Sequence, residues 1–140
     1  MNTDSLNPYL DIAYRIATMG QFIPMAQCVA QEADKLQFKA KVNKELLAFE
    51  GHFPEFAVFP GVAQIAMVQQ IISQYFASLG VIQRIEQLRF QNFILPDQEI
   101  FIVLEQTEQS MNFKLTNAAQ DVVASGRLFF KDEQPKDQQS

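Results

Sequence analysis

The chain has little of what disulfide-stapled or metal-stabilised small domains are built from. It holds one cysteine, Cys28, one histidine, His52, and no tryptophan. One thiol excludes an internal disulfide, and one Cys with one His cannot assemble a protein-only tetrahedral zinc site. Positive charge is also short: 11 Lys and Arg against 16 Asp and Glu leave a formal net charge of −5. A broad nucleic-acid footprint needs clustered positive charge, so no nucleic-acid partner is expected. The first twenty residues lack the basic start and continuous apolar run of a secretory signal, so the expected location is the cytoplasm. Residues 56–81 carry no charge. Gln64, Gln69, Gln70, Ser73, Gln74 and Ser78 nevertheless make that run too polar for a membrane span, and a buried helix is the expectation.

What is there suits a single folded domain. Hydrophobic residues make up 48% of 140 residues, enough to bury a core without staples. The expected domain runs over 1–131, with 132–140, an almost wholly polar stretch, as a disordered tail. Leu6, Leu10, Ile12, Ala13, Ile16 and Ala17 suggest a short amphipathic helix as a lead-in over 1–20, ended by Gly20. Apolar Phe22–Ala30 reads as a strand. Leu36, Phe38, Ala40 and Val42 alternate with Lys35, Gln37, Lys39 and Lys41, the period of a half-buried strand, and Asp34 and Lys35, in or just after a turn, would make the two strands a hairpin. Pro60 and Gly80 bracket a central helix over 61–79 whose apolar residues cover more than one face, so protein should surround most of it. Strands are then expected over 83–93, 99–106, 112–116 and 122–130, with turns at Pro96 and Asp97 and near Asn117.

The stretch that carries chemistry is Gly51-His52-Phe53-Pro54, followed by Phe59-Pro60-Gly61-Val62-Ala63-Gln64 at the head of the uncharged helix. It resembles the GHFP…PGV signature of the hotdog-fold 3-hydroxyacyl-acyl-carrier-protein dehydratases. Leu47-Ala48-Phe49-Glu50 before it and Gly61-Val62-Ala63-Gln64 within it look especially like the ApeI-like thioester dehydratase branch, associated with aryl polyene synthesis. Leu88-Arg89-Phe90 with Pro96, and Val123 to Leu128, are similar to the family's later strands. The likeness runs from about Leu36 to Phe130. It implies an α+β hotdog fold: a curved antiparallel sheet around a long central helix, with two protomers sharing one continuous sheet.

The reaction that the resemblance implies removes an α-proton beside a thioester, protonates the departing 3-hydroxyl and stabilises an enolate-like oxygen. By resemblance His52 is the base and the Gly61 N–H the oxyanion donor. An unpaired N–H at a helix start independently suits that second role. Phe53, Phe59, Pro60 and Val62 would line the substrate's path, and Gln70 would stand on the same helix face as position 66. Five residues after the glycine the family carries Asp or Glu, whereas this chain has Ala66. Glu50 and Glu55 are the carboxylates nearest in sequence to His52. No metal, nucleotide or flavin is implied, because the reaction needs only proton transfers and no phosphate-binding glycine motif is present.

Two further readings stay open beside a dehydratase acting on carrier-bound 3-hydroxyacyl thioesters as a homodimer or heterodimer. One is a catalytically silent hotdog subunit that supports an active paralogue, motivated by Ala66. The other is a hotdog thioesterase. For the helix glutamines, packing against a dimer mate is the expectation for Gln69 and Gln74. The basic strip from Lys35 to Lys44 reads as the solvated face of a strand, or alternatively as a steering surface for an acidic carrier protein. Arg84 and Arg89 are the other candidates for such steering.

Overall fold

The computed structural model describes residues 22–49 and 57–131. The expected N-terminal helix, the polar tail and the loop around His52 lie outside the described residues. Among the described residues six strands form one antiparallel sheet: β1 (Gln27–Gln31), β2 (Lys35–Val42), β3 (Ile82–Phe90), β4 (Gln98–Gln106), β5 (Met111–Asn117) and β6 (Val122–Phe130). Their order across the sheet is β1-β2-β4-β5-β6-β3, so β3, though third in sequence, forms an edge. The one α-helix among those residues, α1 (Gly61–Tyr75), packs on the inner face.

Alternation explains the sheet. Leu36, Phe38, Ala40 and Val42 of β2 are buried, and the register sets Leu36 beside Leu104, Phe38 beside Ile102 and Ala40 beside Ile100. Leu104 and Ile102 continue onto Phe113 and Leu115 of β5. Against this floor α1 lays Ala63, Met67, Val68, Ile71 and Ile72, all within one core cluster. The turns lie where the turn-forming residues predict them. Asp97 (φ 68°) donates its N–H to the Val42 carbonyl at 2.6 Å, and Asn117 Oδ1 accepts from the N–H groups of Ala119 and Asp121.

Lys35 falls just after the turn, as expected: it opens β2, and the Glu32 N–H closes the turn onto its carbonyl at 2.8 Å. Three expectations need correction. β1 begins at Gln27, and the described residues before it are in no strand, although Ile23 is buried. The helix stops at Tyr75, and residues 77–79 form a 3-10 turn that ends on Gly80, whose φ of +77° suits glycine. Nor is α1 wrapped over most of its circumference: Val62 is 73% exposed and Tyr75 40%, so one face packs on the sheet and the other is open.

β3 differs from the other long strands. Its burial is sparse along its whole length, it breaks register with β6 between Ile82 and Arg84 and again between Glu86 and Arg89, and Gln87 takes φ 56°. A bulge of this kind re-aims the side chains that follow it. Its outer edge has no strand beside it among the described residues.

Candidate functional site

The site is built where α1 starts. Pro60 (φ −72°, ψ 157°) is extended and supplies no side-chain cap, while its carbonyl accepts from the N–H groups of Ala63 and Gln64, each at 3.0 Å. The N–H groups of Gly61 and Val62 therefore have no intrahelical acceptor, as the first residues of any helix must. Phe59, one residue before the proline, is tied down: its N–H donates to the Ile94 carbonyl at 2.8 Å, and its ring, 1% exposed, packs 5.8 Å from that of Phe49. Within this chain Phe59 thus serves the core.

Gln64 completes the anchor. Its side chain is buried at 4% exposure, and its Nε2 donates to the Phe59 carbonyl at 3.1 Å. The Oε1 end has no hydrogen-bond partner among the described residues. The expense of burying an amide here fixes the backbone that leads into the helix start.

The face of α1 turned away from the core faces β3 across a largely apolar groove of about 500 Å³, lined by Val62, Ile65, Ala66, Gln69 and β3 residues from Ile82 to Ile85. No carboxylate, histidine or cysteine is among these residues, and Arg84 is held by Glu86 at 2.9 Å and stacks over Phe129 at 4.0 Å. The structure thus brings Val62 and Ala66 into one groove, with Gly61 at its head. Gln70 is half-buried and does not line it. His52 and Phe53, with Glu50 and Glu55, lie outside the described residues.

Gln69 departs from its expectation. Its amide is satisfied within the chain: Oε1 accepts from the Ile82 N–H at 2.8 Å, and Nε2 donates to the Gly80 carbonyl and to Ser73 Oγ, each at 3.1 Å. It clamps the start of the edge strand to the helix. No sequence signal distinguished it from the neighbouring glutamines, because both ends of its contact are backbone groups brought close by the 3-10 turn.

A second contact was not legible either. A methyl group placed on Gly61 would stand 2.8 Å from Cζ of Phe90 and 3.1 Å from both Cε atoms. The Phe90 ring, half-exposed at the end of β3, lies against the first residue of the helix. Glycine at this position thus makes room for a ring within the chain as well as leaving the backbone open.

Known proteins agree with this architecture. Residues 28–127 match the ApeI-like family, described as ApeI dehydratase. A 3-hydroxyacyl-[acyl-carrier-protein] dehydratase FabZ from Clostridioides difficile (strain 630) is 26% identical over 93 residues, covering 59% of this chain and 66% of that relative, just under two thirds of its length. Among solved structures, the dehydratase heterocomplex ApeI:P from Xenorhabdus doucetiae is similar with a TM-score of 0.67 at 21% identity, over 78% of this chain and 98% of that one. Thioesterase superfamily member 2 from Mus musculus is similar with a TM-score of 0.59 at 16% identity, over 93% and 98%. At such identities the structural likenesses show the hotdog fold alone. Among the described residues no helix is long and apolar enough to cross a membrane, and no group of three metal-ligating side chains occurs. With the family match extending over more than half of its length, the chain belongs to the ApeI-like dehydratase family.

Proposed function

We propose that this protein is a subunit of a 3-hydroxyacyl thioester dehydratase whose substrate is carried on an acyl carrier protein. His52 takes the α-proton, the electron pair moves toward the thioester carbonyl oxygen, and the Gly61 N–H receives the charge that develops there. The C3–O bond then breaks with a proton from an acid, releasing water and leaving the enoyl thioester. The observation that carries this reading is the uncapped start of α1 at Gly61, beside an apolar groove with room for an acyl chain. Backbone N–H groups fixed at a helix start are preorganised donors for an oxyanion.

The acid is the open role. Ala66, at the family's acid position by resemblance, lines the groove, and no carboxylate is among its described lining residues, with Glu50 and Glu55 outside the described residues. With alanine at that position, we infer a second chain as the source. The free edge of β3, with Leu88 and Phe90 exposed along it and Val62 beside it, suits pairing with another hotdog subunit. A heterodimer in which the mate keeps an acid would complete the site around His52. The solved Xenorhabdus protein is itself a dehydratase heterocomplex.

The test is enoyl thioester absorbance from a 3-hydroxyacyl carrier-protein substrate, with this protein, its Ala66→Asp variant and its His52→Ala variant. Turnover by Ala66→Asp alone supports a subunit that takes its acid from a mate. Turnover by the unaltered protein that His52→Ala abolishes supports a site completed by water or another group. Release of free thiol with no enoyl product from any of them refutes the dehydratase reading in favour of a thioesterase.

A further inference from the structure

The two walls of the groove, α1 and β3, meet at one end. The helix stops at Tyr75, and residues 76–81 carry the chain straight across to Ile82 at the head of β3. At the opposite end the Phe90 ring lies against Gly61. An acyl chain that starts at Gly61 and follows the groove therefore runs toward the connection between helix and strand. Val62, Ile65, Ala66, Ile82 and Ile85 give it an apolar path.

Gln69 ends that path before the connection does. It lines the groove, whereas Ser73, one turn further along α1, and Gly80 do not. Its amide spans from helix to strand: Oε1 accepts from the Ile82 N–H at 2.8 Å, and Nε2 donates to the Gly80 carbonyl and to Ser73 Oγ, each at 3.1 Å. Both amide hydrogens and the carbonyl oxygen are thus in use. Swinging this side chain aside would strand the Ile82 N–H and the Gly80 carbonyl, so it stands across the groove as a fixed stop.

We propose that Gln69 is a specificity-determining residue that limits the acyl group to medium chain length. This rests on the reading of the Gly61 N–H as the donor to the thioester oxygen and adds the size of the acyl group behind that oxygen. From Gly61 to Gln69 α1 rises by about 12 Å. An extended peptide covers ~3.3–3.6 Å in three backbone bonds, and a saturated acyl chain of similar bonds reaches Gln69 with about ten carbons. The turn from Gln69 to Ser73 adds about 6 Å, room for roughly four or five carbons more. Alanine at position 69 opens that turn. The gain is partial, because the same change uncovers the Ile82 N–H and the Gly80 carbonyl, which a hydrocarbon cannot satisfy.

The experiment titrates the whole protein by calorimetry with saturated hexanoyl-, decanoyl- and tetradecanoyl-coenzyme A. A saturated chain has no 3-hydroxyl to lose, so the readout does not depend on the acid. In the unaltered protein affinity is expected to rise several-fold per methylene from hexanoyl to decanoyl, and by less than about threefold in all from decanoyl to tetradecanoyl. Gln69→Ala is expected to raise the ratio of tetradecanoyl to decanoyl affinity by about tenfold or more. Gln69→Met loses the same hydrogen bonds but keeps a side chain of similar length and volume, and is expected to raise that ratio by less than about threefold. Equal shifts in the two variants would trace the effect to a loosened β3 and overturn the proposal. So would an unchanged ratio in Gln69→Ala, a parent affinity that keeps rising through tetradecanoyl, or no binding of any of the thioesters. The dehydratase reading fails separately: thiol release without enoyl product refutes it and leaves Gln69 as the stop of an acyl site, whereas enoyl formation with no length effect of Gln69→Ala keeps the dehydratase and removes this role from Gln69.

Discussion

Adding one methyl group at Gly61 separates two reasons for a glycine there. The backbone does not need it, because only Gly80 among the described glycines has a positive φ. Space does: the new carbon would lie 2.8 Å from Phe90 Cζ, against about 3.5–4.0 Å for an unstrained carbon pair. The ring tip must therefore retreat by roughly 0.7 Å or more. Phe90 is 49% exposed and can swing outward, which puts the cost at the low end of the overpacking range, about 1 kcal/mol. Replacing Gly by Ala also restricts the unfolded chain, which returns about 0.4–1 kcal/mol. Gly61→Ala should thus destabilise by no more than about 1 kcal/mol, a fall in Tm of about 4 °C or less. Phe90→Ala should cost stability of its own but remove the clash, so that Gly61→Ala in that background becomes neutral or stabilising, with a coupling energy of about 1 kcal/mol. Chemical denaturation of the four proteins in the double-mutant cycle measures this. A loss above about 3 kcal/mol for Gly61→Ala, or no coupling to Phe90, refutes the steric account of this glycine.

Gly126→Ala makes the opposite case: its methyl would stand 2.8 Å from Phe113 Cε2 and 3.1 Å from Ile85 Cγ2, and Phe113 is buried with nowhere to move. It should cost about 2–3 kcal/mol, and a thermal melt within 2 °C of the parent would contradict that. Gln69→Ala removes both backbone bonds that hold the head of β3, worth together about 1–3 kcal/mol; amide hydrogen exchange at Ile82 should rise while that of β4 and β5 stays protected. Gln64→Leu loses the donor to the Phe59 carbonyl but also removes an unpaired buried acceptor, so the net loss should be only about 1 kcal/mol by urea denaturation. Leu88→Asp places a charge on the exposed apolar edge of β3, and, with the dimer proposed above, light scattering should show a shift toward monomer; an unchanged dimer would place the subunit contact elsewhere, and a monomeric parent would refute the pairing.

Much of the fold was legible because two periodicities are simple. Alternation over Lys35–Val42 located β2 and its buried face, and Pro60 with Gly61 marked the start of α1. Where long-range contacts decide, the sequence was less informative. The end of α1 at Tyr75 depends on the Phe76 N–H bonding back to Ile72 and on Gly80 lowering the chain into β3. The apolar residues of 61–79 continued past that point without a break, so periodicity alone extended the helix by four residues. The open face of α1 was misread for a related reason: Val62, Ile65 and Ala66 are apolar, and apolarity predicts burial without saying whether the cover comes from the same chain.

That ambiguity bears directly on the site. A lone subunit leaves an apolar groove of about 500 Å³ at the helix, exposed Val62 and Phe90 at its head and, at its side, a nine-residue strand whose outer edge has no strand beside it among the described residues. Monomeric proteins rarely leave an apolar patch and a strand edge side by side, because each invites association. A polar acid at position 66 would be poorly solvated once that groove is covered, and unless it acted on substrate it would cost stability. Alanine there lets the groove close against a mate at no such cost. On the reading proposed above, in which position 66 is the family's acid position, alanine there both leaves this chain without that donor and suits it to be half of a covered interface, and in a mixed dimer the two effects would be selected together.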